Sequence, residues 1–242
     1  MRLGNGYGRF AAVVNSLLLL LFCLMPVCLM PAQAQTAGQT PGQNDKPAKS
    51  ISLAVLGDSL AAGFGIKPEQ SFPARLEAAL KADGRTVTVL NDGVSGDTSA
   101  GGLDRVDWIL GDKPDIVMVE LGANDALRGI DPASTERNLS AIIEKLKAAG
   151  VTVWLAGMMA PRNFGPDYVT AFDGIYRRLA DKYQVPLYPF LLEGVAQDPA
   201  LNQADGLHPN PQGVAVIVRN ILPFVTKNLD LYAASLHRPA RP

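Results

Sequence analysis

Cysteine and histidine are scarce in this 242-residue chain, with two of each. Both cysteines, Cys23 and Cys28, fall within the first 34 residues, so the remainder holds no thiol. That excludes a disulfide framework, a thiolate metal centre and a cysteine nucleophile from the body of the chain. His237 sits in a Pro/Arg-rich C-terminal stretch, leaving His208 as the single imidazole of the body. One imidazole without thiolates is too small a ligand set for structural zinc, and no metal is expected. Net charge is also small, −1 for the chain and about −3 once Arg2 and Arg9 are set aside. No basic stripe is present, which argues against a nucleic-acid partner.

Long apolar runs are confined to the start. Arg2 and Arg9 form a basic n-region, residues 11–25 a leucine-rich apolar stretch, and Pro31-Ala32-Gln33-Ala34 an A-x-A cleavage pattern. Residues 1–34 therefore read as a signal peptide cut after Ala34. An uncleaved anchor over residues 10–30 is the competing reading. Neither cysteine has a lipoprotein context. Residues 35–50, rich in Gln, Pro, Gly, Thr and Lys, read as a disordered linker. A single domain is expected over residues 51–231, followed by a flexible tail over 232–242.

From Ile51 onward, short β-rich runs alternate with helical periods. The runs cover residues 51–56, 86–90, 115–121, 151–156 and 185–188. Helical spacing appears in Phe72, Leu76, Ala79 and Leu80, in Leu139, Ile142, Ile143 and Leu146, and in Phe172, Ile175, Tyr176 and Leu179. Val214, Ile217, Val218 and Ile221 complete the series. Asp131-Pro132 supplies an N-cap and a first-turn proline, and Gly150 a stop. Five strands separated by helices, with apolar central strands, predict a parallel sheet covered on both faces with right-handed crossovers. Ligands of such sheets bind beyond the carboxyl ends of the strands. The polar segments after each strand, at residues 58–59, 93–98, 122–125, 158–165 and 205–208, are thereby expected on one rim.

Ser59 follows the first strand at a strand-to-helix turn, where its hydroxyl can project and its N–H can face a developing anion. A serine needs an adjacent base, and His208 is the available one. Asp205, three residues before it, can hold one ring nitrogen and leave the other for Ser59. Asn124 offers a side-chain amide and Gly96 an unobstructed backbone N–H to an oxyanion. Taken singly, each has an ordinary alternative: an N-cap for Ser59, a hydrogen-bonding histidine for His208, and tight turns around Gly96 and Asn124. The glycine-rich stretch 57–65 lacks the Gly-Lys-Ser/Thr ending of a P-loop and the G-x-G-x-x-G spacing. A G-x-S-x-G nucleophile elbow is likewise missing.

Gly57-Asp58-Ser59-Leu60, Gly96, Gly122-x-Asn124-Asp125 and Asp205-x-x-His208 resemble, in order and spacing, the four blocks of the GDSL, or SGNH, hydrolase superfamily. Residues 57–65, 91–102, 120–129 and 205–210 resemble in particular its periplasmic acyl-CoA thioesterase/arylesterase/lysophospholipase subgroup. Ala61 and Ala123 stand where serine or threonine and glycine are frequent. The resemblance implies a three-layer α/β/α sandwich with a five-stranded parallel sheet of flavodoxin-like topology. It also implies Ser59 as nucleophile, His208 as base and Asp205 as its partner. The oxyanion hole would comprise the Ser59 and Gly96 N–H groups and the Asn124 side chain, with no metal or organic cofactor. The implied partner is a small acyl ester or thioester. The chain is expected to be a periplasmic monomer with no stable membrane span after cleavage, and full secretion is the alternative. Met158, Pro161, Asn163 and Phe164, after the fourth strand, are expected to meet the acyl group, with the methionines of this segment as core filler the alternative. A carbohydrate O-deacetylase of the same superfamily and a non-catalytic binding module remain the competing functions.

Overall fold

The computed structural model describes residues 50–237. The expected signal peptide lies outside the described residues, as does nearly all of the linker. Ser50, the linker's last residue, is tied to Thr86 O and Thr88 Oγ1 at 3.4 and 3.1 Å.

In chain order the elements are β1 (Ile51–Gly57), α1 (Ser59–Ala62), α2 (Phe72–Ala82), β2 (Val87–Gly93), α3 (Ser99–Asp104), α4 (Val106–Gly111) and β3 (Ile116–Glu120). They continue with α5 (Ala123–Leu127), α6 (Pro132–Ala148), β4 (Thr152–Ala156), α7 (Pro166–Asp173), α8 (Ile175–Tyr183), β5 (Leu187–Tyr188) and α9 (Pro211–Leu236). All strand pairs are parallel, in the order β2-β1-β3-β4-β5. This is the doubly wound 2-1-3-4-5 order, with its topological switch point between β1 and β3. Right-handed crossovers put α2 on one face and α3, α4, α6, α7 and α8 on the other, and α9, after the last strand, joins α2. The packing of α2 on α9, and of α6 on α3 and α8, agrees with that division.

Strand β1 from Leu53, and all of β3, are buried because helices cover both faces. Their apolar runs made them legible. Strand β2 runs three residues past the expected Leu90, through Asn91, Asp92 and Gly93, paired with Val55, Leu56 and Gly57. Ladder pairing, rather than hydrophobicity, carries these polar residues. Strand β5 is two residues long, against the four expected, with prolines at 186 and 189 that have no N–H to donate.

The four residues Phe172, Ile175, Tyr176 and Leu179 are all buried, but they belong to two helices broken at Gly174. Gly174 lies between them at φ −76° and ψ −14°. Helix α6 has Asp131 as N-cap, its side chain accepting from Ala133 N, and Gly150 (φ 78°) lies just beyond its end. Helix α9 runs to Leu236 and is capped by His237. The domain boundary expected at Leu231 thus falls inside a helix, and residues 232–236 are helical.

Candidate active site

At the end of β1, Gly57 passes so close to β3 that an added Cβ would stand 2.2 Å from Glu120 Oε2 and 2.6 Å from Ala61 Cβ. Asp58, fully buried, caps the one-turn helix α1 by accepting from Leu60 N at 3.0 Å. Ser59 is therefore the first helical residue rather than the cap. A first helical residue has no intrahelical acceptor for its N–H, which stays available.

The turn after β2 starts at Val94, whose N–H donates to Gly57 O at 3.0 Å. It holds Gly96 at φ 87°, a region that favours glycine. The Gly96 carbonyl accepts from Arg128 Nη2 at 2.7 Å, while its own N–H makes no hydrogen bond among the described residues. After β3, Gly122 (φ 115°) turns the chain into α5, which carries Asn124. Asn124 Nδ2 donates to Asp58 Oδ2 at 3.1 Å and to Asp97 O at 2.9 Å. One amide thus joins the segments that follow β1, β2 and β3. Both of its hydrogens point at protein acceptors, so an anion bound there competes with the Asp58 carboxylate for one of them. Arg105 braces the same region, donating to Asp97 Oδ2 at 2.6 Å and Gly57 O at 2.8 Å.

The loop after β5 brings in the remaining groups. Asp205 Oδ1 accepts from the backbone N–H groups of Leu207 and His208 at 2.9 and 3.0 Å. Its Oδ2 lies 2.7 Å from His208 Nδ1, and His208 Nε2 lies 2.9 Å from Ser59 Oγ. A carboxylate only accepts, so Nδ1 carries the proton and Nε2 is left to accept from the serine hydroxyl. Ser59, His208 and Asp205, distant in sequence, form one hydrogen-bonded chain.

The carboxyls around this chain differ in environment. The backbone N–H groups of His208 and Leu207, and then the imidazole, hold Asp205 down at about 2. Burial pushes Asp58 up to about 6, against the opposing hydrogen bonds from Leu60 and Asn124. Glu120, whose Oε2 accepts from Asp58 N at 3.3 Å, is pushed well above the usual carboxyl range by burial and then by Asp58. Asp205 is thus ionised near the imidazole, while burial favours the neutral form of Glu120 beneath the nucleophile.

The segment after β4 departs from expectation at one residue. Met158 is 2% exposed and packed in the core, so it offers no surface to a substrate. The neighbouring Met159 is the exposed methionine. Just before Met158, Gly157 is still bonded on both sides, its N–H donating to Tyr188 O at 2.8 Å and its carbonyl accepting from Leu191 N at 3.0 Å, so the chain at Met158 has not yet left the core. Pro161 is half-buried, and Asn163 and Phe164 are exposed around the 3-10 turn Arg162–Phe164. Phe164 packs on Tyr168 with ring centroids 5.2 Å apart, and a Cβ at Gly129 would stand 3.0 Å from its ring. It therefore adjoins the segment that follows Asn124.

Two residues at the site escaped the sequence reading. Phe64 lies against the His208 imidazole with centroids 4.6 Å apart, and Gln203 bonds to the Phe64 carbonyl. Phe64 carries one local signal, an aromatic set between Gly63 and Gly65 in a turn. Gln203 carries none, because its partners are set by tertiary folding.

Comparison with known proteins places this geometry in context. The sequence model of the GDSL-like lipase/acylhydrolase family matches residues 55–216. An arylesterase of Vibrio mimicus is 42% identical over 181 residues, 74% of this chain and 90% of that protein. The thioesterase 1/protease 1/lysophospholipase L1 of Escherichia coli K12 is 42% identical over 166 residues, 68% of this chain and 78% of that protein. The crystal structure of the psychrotrophic esterase EstA from Pseudoalteromonas, inhibited by monoethylphosphonate, superposes with a TM-score of 0.72 at 31% identity. It covers 75% of this chain and 100% of its own.

Proposed function

This chain belongs to the GDSL-like lipase/acylhydrolase family, and on that premise we propose that Ser59, His208 and Asp205 hydrolyse its substrates through an acyl-enzyme. The protein is an ester and thioester hydrolase acting on small molecules, the activity its named relatives carry. The observation that carries the residue roles is the unbroken chain from Asp205 Oδ2 through His208 to Ser59 Oγ, with links of 2.7 and 2.9 Å.

Ser59 Oγ attacks the acyl carbonyl carbon as its proton passes to His208 Nε2, and Asp205 stabilises the resulting imidazolium. The oxyanion takes hydrogen bonds from the N–H groups of Ser59 and Gly96 and from Asn124 Nδ2. Collapse breaks the bond to the leaving alkoxide or thiolate, which receives the proton from His208. Water then gives its proton to His208 and attacks the acyl-serine. The carboxylic acid departs and Ser59 regains its hydrogen. No metal or organic cofactor enters these steps.

For the substrate, an acyl chain is favoured by the composition of the rim. Of nine exposed large apolar side chains among the described residues, six (Phe64, Val94, Leu127, Met159, Phe164 and Leu207) follow the five strands. Apolar surface beside a nucleophile suits an acyl group better than a sugar, whose hydroxyls need polar partners. The leader read over residues 1–34 supports export to the periplasm. No helix among the described residues is long and apolar enough to cross a membrane.

Kinetics on p-nitrophenyl acetate, p-nitrophenyl octanoate and an acetylated sugar test this reading. The expected ranking puts the octanoate first in kcat/KM, with all activity lost in His208→Ala. A preference for the sugar would overturn the acyl-chain reading, and full activity in His208→Ala would overturn the mechanism.

A further inference from the structure

His208 and Ser59 reach the site from opposite ends of the domain, on separate loops, and the tip of the loop that carries the histidine is exposed. Asp205 and Gly206 are exposed, and Gly206 takes a left-handed φ of 69°. Between the segment 57–66 that bears the nucleophile and the loop 198–210 that bears the base, two hydrogen bonds and one ring contact are made among the described residues. One is the Ser59–His208 bond itself. The other two share Phe64: its ring lies on the imidazole at 4.6 Å, and its carbonyl accepts from Gln203 Nε2 at 2.7 Å.

Gln203 is also fixed to the base's loop on its own side. Its backbone N–H donates to His208 O at 2.8 Å, and its Nε2 reaches Pro209 O at 3.1 Å. Two carbonyls facing one amide nitrogen leave a single role for it, that of donor. Gly65 makes room for this amide, since a Cβ there would stand 2.1 Å from Gln203 Oε1.

We propose that Gln203 and Phe64 form a clasp that positions the imidazole on Ser59, Gln203 by locking the two loops together and Phe64 by fixing the ring face that Asp205 leaves free. Asp205 restrains His208 in the plane of its ring, through Nδ1. Rotation about that bond would swing Nε2 away from Ser59 Oγ, and the Phe64 ring blocks the swing on one side. This inference rests on the triad roles proposed above.

The test uses the purified protein and p-nitrophenyl acetate, a substrate too short to need the rim. Gln203→Ala and Gln203→Glu are expected to lower kcat about tenfold or more, with KM within about twofold, as misplacement of a catalytic group does. Phe64→Ala is expected to do the same, and Phe64→Tyr to recover most of the rate. The double variant Phe64→Ala/Gln203→Ala should lose less than the product of the single losses, because both act on one imidazole. In proton NMR, the low-field signal of the His208 Nδ1 proton should broaden in Gln203→Ala while the thermal midpoint stays close to wild type. Wild-type kcat and an unchanged signal in folded Gln203→Ala would overturn the clasp. Retention of activity in Ser59→Ala would instead overturn the triad, so the two failures are distinguishable.

Discussion

Asp58 sits where stability and catalysis oppose each other, and Asp58→Asn separates them. The side chain is fully buried, and burial raises its pKa from 3.8 to about 6. A shift of about two units corresponds to about 3 kcal/mol. The sign follows from proton binding: between pH 3.8 and 6 the folded protein holds this proton and the unfolded chain has released it. Stability therefore falls as pH rises through that window and is level above it. Asparagine has no charge to bury, so it removes this dependence. It keeps an acceptor for Leu60 N, but turns an N–H toward Asn124 Nδ2, a clash of donors costing about 1–3 kcal/mol. The variant is expected to be less stable than wild type at pH 4 and close to it at pH 7. Its stability relative to wild type should rise by about 3 kcal/mol across the interval. Activity moves the other way. Loss of the carboxylate that orients Asn124 should lower kcat by about 10- to 100-fold. Urea unfolding of both proteins at pH 4, 5, 6 and 7, with kcat on p-nitrophenyl acetate at pH 7, measures both effects. A stability difference independent of pH would refute the buried-charge argument, and an unchanged kcat would refute the positioning argument.

Other perturbations have equally specific outcomes. Asn124→Ala removes one oxyanion donor and should lower kcat about 100- to 1,000-fold, with KM nearly unchanged in steady-state assays. Asp205→Asn should lower kcat by about 10⁴ through the wrong imidazole tautomer, while the thermal midpoint barely moves because the carboxyl is exposed. Asp205, held down at about 2, keeps its charge beside the imidazole through the working range, so kcat/KM should show no carboxylate step near pH 4 in wild type, and such a step would contradict that. Gly57→Ala places a Cβ 2.2 Å from Glu120 Oε2 and should cost about 1–3 kcal/mol in chemical denaturation.

What could be read from the sequence follows from which interactions are local. The apolar runs of β1, β3 and β4 mark strands buried on both faces, and those strands place Ser59 and Asn124 at one rim. Asp205 and His208 share a turn, and their contact was legible from a spacing of three. Where ladder pairing or backbone bending decides, hydrophobicity is silent: the polar end of β2 and the break at Gly174 show it. Met158 was misread because adjacent methionines give no sign of which one faces the core. Phe64 and Gln203 meet only after the loops following β1 and β5 are brought together by the sheet. Asp58 was visible in its motif, but its second bond, to Asn124, spans 66 residues.

The central claim is that Ser59 is the nucleophile activated by His208, and covalent capture tests it most directly. The protein is treated with a fluorophosphonate, and the adduct is located by peptide mass spectrometry. One phosphonyl group on Ser59 is expected, with labelling abolished in Ser59→Ala and slowed at least 100-fold in His208→Ala. A folded wild-type protein that takes no label, or takes it on another residue, would contradict the account.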